Sequence, residues 1–137
     1  MFGQQQKLVR ITVLSALLFI GSFLVVSISP LHGVIPQTTK LGSNLMWLTL
    51  IVVILLYVIP TLCYFKEIKH TIVVLAFLCA GGFICHVSMG VVAVNTLLLK
   101  GMYSSLLLAV SIVSLLAAGV NVWWFKIAFY HSFAVKQ

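Results

Sequence analysis

Acid is almost missing from this sequence: one carboxylate side chain, Glu67, stands among 137 residues. Proton-driven carriers ordinarily bind their proton on an intramembrane carboxylate, and no long apolar run here contains one, so that coupling is not expected. Charge of either sign is scarce at 7 % of residues, where a soluble domain carries about a quarter. Cysteine is limited to Cys63, Cys79 and Cys85, with no CxxC pair and each inside or at the end of an apolar run. That pattern excludes a disulfide framework and reads as small apolar side chains. Phosphate-binding glycine loops, zinc-ligand spacing and RNA-binding motifs are missing too, which leaves nucleotide, metal-cluster and nucleic-acid functions without residues to carry them.

What the chain has instead is hydrocarbon. Apolar residues make up 63 % of it and the mean hydropathy is +1.25, values that belong in lipid. Eight Lys and Arg against the single acid give a formal charge of +7, and the partner this predicts is the anionic headgroup of a membrane surface. Lys7 and Arg10 precede the first apolar run as they would in a signal peptide. The run is longer than a signal core and ends at Ser29 and Pro30 with no small-residue cleavage pattern, so it is expected to stay as an anchor.

Four runs have the length of a bilayer-crossing helix, at about 8–29, 45–64, 71–99 and 102–124. The predicted fold is therefore all-α, one domain over 1–137, with four transmembrane helices in an antiparallel up-down bundle. Pro30 to Asn44 is broken by Gly33, Pro36 and Gly42 and reads as a surface loop, after which Ser43 or Asn44 caps the second helix. Lys100 and Gly101 make a tight turn between the third and fourth. Residues 125–137 mix Phe125, Phe129, Tyr130 and Phe133 with Lys126, His131 and Lys136, the composition of a tail lying at headgroup level. Lys7, Arg10, Lys66, Lys69, Lys126 and Lys136 fall on one side of such a bundle and only Lys40 and Lys100 on the other. The positive-inside rule then places both termini in the cytoplasm of a bacterial cell. Trp47 and Tyr103 would mark the outer interface, and Tyr64, Trp123 and Trp124 the inner one.

Three of the runs own a small or polar seam. In the first, Ser15, Ser22 and Ser29 recur every seven residues. In the third, Cys79, Gly82, His86, Gly90 and Ala93 recur at steps of three or four. In the fourth, Ser104, Ser111, Ser114, Ala118 and Asn121 again fall at helical spacing on one side. Small residues let helix backbones approach, and hydroxyls and amides bond across the contact. The second run is apolar all round and should be the most lipid-exposed, with Pro60 a point at which a spanning helix can kink.

His86 is the focus of the candidate intramembrane site, with Gly82 and Gly90 one turn to either side. Two readings stand side by side. In one, a neutral imidazole bonds a hydroxyl and acts as interhelical glue. In the other it is a ligand or a point on a solute path, because ionisable residues at mid-bilayer are costly. A hairpin turning at Lys100 and Gly101 brings residues whose numbers sum to about 201 to one depth, since both helices rise equally. For His86 that points near residue 115, making Ser114 or Ser111 the expected partner, with Ser22 of the first run a third candidate. Asn95 and Asn121 complete the site as buried amides.

Haem between helices needs a second axial ligand, and His32, His70 and His131 lie at helix ends or in loops. Only the His86 of another copy, or Met89, could supply it. Copper at His32, Met46 and Met102 has less behind it. Intramembrane hydrolysis would want a serine on a sharp turn facing a histidine, and no serine has that setting. No catalytic residue, metal or cofactor is expected. Small multidrug-resistance exporters are similarly short four-span proteins, but that family relies on a glutamate within its first helix, and the motifs of fluoride channels have no counterpart at matching positions. The expected function is a non-enzymatic integral membrane protein acting as a homo-oligomer or as a subunit of a larger membrane assembly. The alternative is an oligomeric small-solute channel or transporter, and a haem-binding electron carrier comes third.

Overall fold

A computed structural model of the chain describes residues 2–29, 31, 41–66, 70–99, 101 and 104–134, and the side chains of Phe2, Gln4 and 130–134 are not among what it describes. The first-loop residues His32, Pro36 and Lys40, the link residues Glu67 and Lys69, the turn residues Lys100, Met102 and Tyr103, and Lys136 lie outside the described residues, as do the side chains of Tyr130, His131 and Phe133.

Four α-helices follow one another: α1 (Phe2–Ile28), α2 (Asn44–Phe65), α3 (Thr71–Leu99) and α4 (Ser105–Ala134). Each is long and apolar enough to cross a membrane, which supports a multi-pass membrane protein. The second and third helices match the expected runs to within a residue at either end. The outer two extend further. α1 starts six residues before Leu8, taking in the polar Gly3 to Lys7 stretch. α4 starts later than Met102 and then continues through Trp124 to Ala134 without a break. Residues 125–134 are thus a continuation of α4, not a separate segment after it. No proline or glycine stands between Asn121 and Ala134 to stop it.

Local chemistry explains the ends. Ser43 is the cap of α2, its Oγ accepting from the Met46 N–H at 3.1 Å, which leaves Asn44 as the first helical residue. Pro60 lies within α2, which runs on past it to Phe65. His70, at φ 69°, holds a left-handed conformation that costs a non-glycine residue energy, and its carbonyl accepts from Val73 at 3.0 Å to open α3. Gly101 has φ 61°, where the missing side chain removes that cost.

Packing is organised around α1, α3 and α4. Near one end, Leu8 and Ile11 meet Leu75, Cys79, Trp124 and Ala128, with Tyr64 packed against them. Near the other, Val26 and Leu31 meet Ala93, Leu107 and Val110. α2 is seated chiefly by Met46 and Leu50 against Phe23, with Tyr57 and Pro60 also buried. It is the least buried of the four helices, as its even apolarity predicts. The seam expected on α3 is largely the buried face: Cys79, Gly82, His86 and Ala93 are enclosed, and Gly90 is half-buried. Ser15 and Ser22 of α1 turn inward, as does Ser29 just past its end.

Candidate functional site

Midway along the bundle every helix contributes a polar or aromatic group. Ser15 of α1 donates to the Asn121 Oδ1 of α4 at 2.7 Å, and both side chains are buried. Tyr57 of α2 brings its hydroxyl over Gly82 of α3. A Cβ on that glycine would lie 3.2 Å from the Tyr57 hydroxyl and 3.5 Å from Asn121 Nδ2. The glycine is what lets three helices converge there. Tyr57 interacts with Ser15, yet its hydroxyl completes no hydrogen bond, and neither does Asn121 Nδ2. Phe19 of α1 bridges this cluster to the next, with its ring 6.5 Å from Tyr57 and edge-on to His86 at 5.2 Å.

His86 is 1 % exposed, and both of its ring nitrogens lack a partner. On the side away from α1 it lines a cavity of about 370 Å³ between α3 and α4, together with Gly90, Asn95, Ser111, Ser114 and Ala118. Gly90 faces Ser114 across this gap, where a Cβ added to it would stand 3.6 Å from Ser114 Cβ, an ordinary contact. The Ser114 hydroxyl is buried and also unpartnered. Val91 and Leu115, exposed on the outer surface, flank the opening.

The structure brings together most of the expected site and divides it in two. Gly82 and Asn121 belong to the Tyr57 cluster. His86, Gly90, Asn95, Ser111 and Ser114 belong to the α3–α4 cavity. Ser22 joins neither, since its hydroxyl turns back onto the Leu18 carbonyl at 2.7 Å.

Three expectations are corrected. The bond from His86 to a serine is not made: Ser111 donates to its own helix at Leu107 O, and Ser114 has no partner. The reason is register, because Gly90 faces Ser114 and Gly82 faces Asn121, which sets α4 slightly further along than the turn alone suggests. Asn95 is exposed at the cavity rim and not buried. Trp124 is no interfacial marker, for it is fully enclosed and donates through Nε1 to Thr12 Oγ1 at 2.8 Å, while the Thr12 hydroxyl itself donates to Leu8 O. Trp123 beside it is exposed.

Sequence reasoning missed Tyr57, Phe19 and Thr12. Tyr57 carried a signal, being the sole hydroxyl-bearing residue in the long apolar centre of α2 between Thr49 and Thr61. Chemically, the region offers uncharged donors and acceptors in an apolar frame. Among the described residues no group of three or more His, Cys, Asp or Glu could hold a metal ion.

A protein of Bacillus subtilis (strain 168), described as "Uncharacterized protein YxaJ", is 35 % identical over 131 residues, a match covering 93 % of this chain and 90 % of that protein. No solved structure matches the chain. A family model matches residues 2–133, which takes in both polar clusters and all four helices but the final residue of α4. The chain belongs to that family, "Family of unknown function (DUF5391)".

Proposed function

We propose that this is a non-enzymatic integral protein of the bacterial cell membrane, acting as a homo-oligomer or as a subunit of a larger membrane assembly. It crosses the bilayer four times as an antiparallel up-down bundle with both termini cytoplasmic. The observation that carries the assembly reading is the seating of α2. α1 and α4 are stitched by Ser15 to Asn121 and by Trp124 to Thr12, whereas α2 rests on few side chains. An apolar cleft runs along each of its flanks, about 250 Å³ against α1 and about 200 Å³ against α3. Helices in lipid associate by close packing, and a cleft forfeits dispersion contacts that a neighbouring chain's side chains restore.

The orientation is supported by the exposed basic residues. Lys7 and Arg10 stand beside Leu8 and Ile11, Lys66 comes two residues after Tyr64, and Lys126 lies between Phe125 and Ile127. All four therefore gather at the end of the bundle that Leu8, Leu75 and Trp124 close, as the positive-inside rule asks of a cytoplasmic face bearing anionic headgroups.

A photo-crosslinking residue placed at Val58 or Leu62 in native membranes tests the assembly. Adducts to a second copy or to one defined membrane protein are expected there and not from Leu24 on α1. Adducts to lipid alone at both α2 positions would reject the reading, and solute flux through the purified protein would replace it with a channel. Reporter fusions after Gln137 and within 36–40 should read cytoplasm and exterior; the reverse would overturn the orientation.

A further inference from the structure

The α2 clefts have Thr12, Tyr57 and Thr61 among otherwise apolar walls, whereas the α3–α4 cavity, on another face, has a buried imidazole and a buried hydroxyl in its lining. His86 and Ser114 line it, each 1 % exposed, and together they hold three polar atoms with no hydrogen-bond partner. A buried polar group without a partner costs free energy, about 1–3 kcal/mol for a neutral one. Groups that persist in this state mark a place where something else completes them.

The cavity's size, position and chemistry define what that is. Its volume of about 370 Å³ is roughly twelve times a water's share of liquid and lies in the range of small-molecule sites. Its opening is flanked by the exposed Val91 and Leu115, so the way in is from the hydrocarbon and not from the aqueous ends. The wall is apolar apart from His86, Ser111, Ser114 and Asn95, and none of these carries a fixed charge. A neutral imidazole offers one N–H and one acceptor nitrogen, and a serine offers one O–H with acceptor capacity. The His86 nitrogens and the Ser114 hydroxyl are enclosed behind the cavity wall, so a ligand meets them when these side chains rotate toward it, and Gly90, with no side chain of its own, leaves room for that beside Ser114.

We infer that this cavity is a binding site for a neutral, lipid-dissolved molecule presenting a carbonyl or hydroxyl on an otherwise apolar ring, the chemical class of the membrane quinones. Depth separates this class from ordinary glycerolipids. His86 lies fifteen residues after Thr71 and thirteen before Leu99, within a few ångströms of the middle of its helix at about 1.5 Å per residue. Ester carbonyls sit at the edge of a hydrocarbon core about 30 Å thick, far from that level. A helix from a partner chain is a poor occupant, because its backbone groups are already bonded internally and it can reach inward only with side chains from the rim.

The test uses the full chain in nanodiscs of phosphatidylglycerol and phosphatidylethanolamine, with radiolabelled decyl-naphthoquinone as the probe and empty nanodiscs as the partition control. Saturable binding near one probe per chain is expected. Ser114→Ala should weaken it about three- to tenfold, the loss of one hydrogen bond, His86→Leu at least as much, and Gly90→Leu should block it by filling the cavity. Ser22→Ala, outside the cavity, should leave it unchanged. Retained helicity by circular dichroism and an unchanged elution volume qualify each variant, and Ser114→Ala alone decides the matter if His86→Leu fails to fold. Uptake equal to that of empty nanodiscs, or equal binding by the parent and the folded Ser114→Ala and Gly90→Leu variants, would overturn the site. Displacement of the probe by dioleoylglycerol but not by unlabelled quinone would overturn the ring assignment.

Discussion

Ser15 and Asn121 are 106 residues apart in sequence and are joined by a 2.7 Å hydrogen bond between buried side chains, so the first helix is fastened to the last near mid-span. Ser15→Ala removes the donor and leaves the Asn121 amide with no partner. The expected loss is about 0.6–2 kcal/mol, the range for interhelical bonds in membrane proteins. Thermal or steric-trapping unfolding in detergent would measure it, and Ser22→Ala, whose hydroxyl serves only its own helix, should give a smaller change.

The three tryptophans should divide by environment. Trp47 and Trp123 are about half exposed on the outside of the bundle, and Trp124 is fully enclosed against Thr12. Single-tryptophan variants in bilayers containing brominated lipids are expected to show quenching of Trp47 and Trp123 and little of Trp124. Strong quenching of Trp124 would contradict its place in the core.

Gly82 tolerates little. A single Cβ already reaches 3.2 Å from the Tyr57 hydroxyl, which can give way because it is the end of a side chain, so Gly82→Ala should be mild. Gly82→Ile has no such escape and is expected to cost about 1–3 kcal/mol, as overpacking does. Ile54→Ala, on the exposed side of α2, should lower the melting temperature far less. Equal stability of Gly82→Ile and the parent would show that this face of α3 is not an interface.

His86 has no hydrogen bond to lose. His86→Leu should therefore match the parent's stability or exceed it by about 1 kcal/mol, since replacing unpaired polar atoms by hydrocarbon is neutral to favourable. A marked loss on chemical or thermal unfolding would mean that the imidazole is satisfied in the membrane by a group the folded chain alone does not provide.

Much of this was legible from the residues themselves. Steps of three and four along α3 placed Cys79, Gly82, His86 and Ala93 on the buried face, because a helix in lipid still segregates its small residues toward other helices. Even apolarity marked α2 as the outlying helix. Pairing was less legible. Periodicity gives the direction a side chain leaves its helix but not how far a neighbour is shifted along its axis. A small axial shift of α4 was enough to set Ser114 against Gly90 and leave His86 unbonded. Trp124 misled for a related reason: an aromatic near a helix end reads as interfacial by composition, and only the position of Thr12 on α1 shows that it has a buried partner.

The two side-chain bonds of α1 have a consequence for how the protein is built. Thr12 and Ser15 both find their partners on α4, the fourth helix in chain order. During synthesis α1 enters the bilayer first, and two further helices follow before Asn121 and Trp124 exist. Until then Thr12 has its bond to Leu8 O, Ser15 has Tyr57 of α2 beside it, and the core at the end closed by Leu8 and Trp124 lacks its tryptophan. A chain stopped before Asn121 would therefore keep the seating of α2 on Phe23 but lack both side-chain bonds that join α1 to α4.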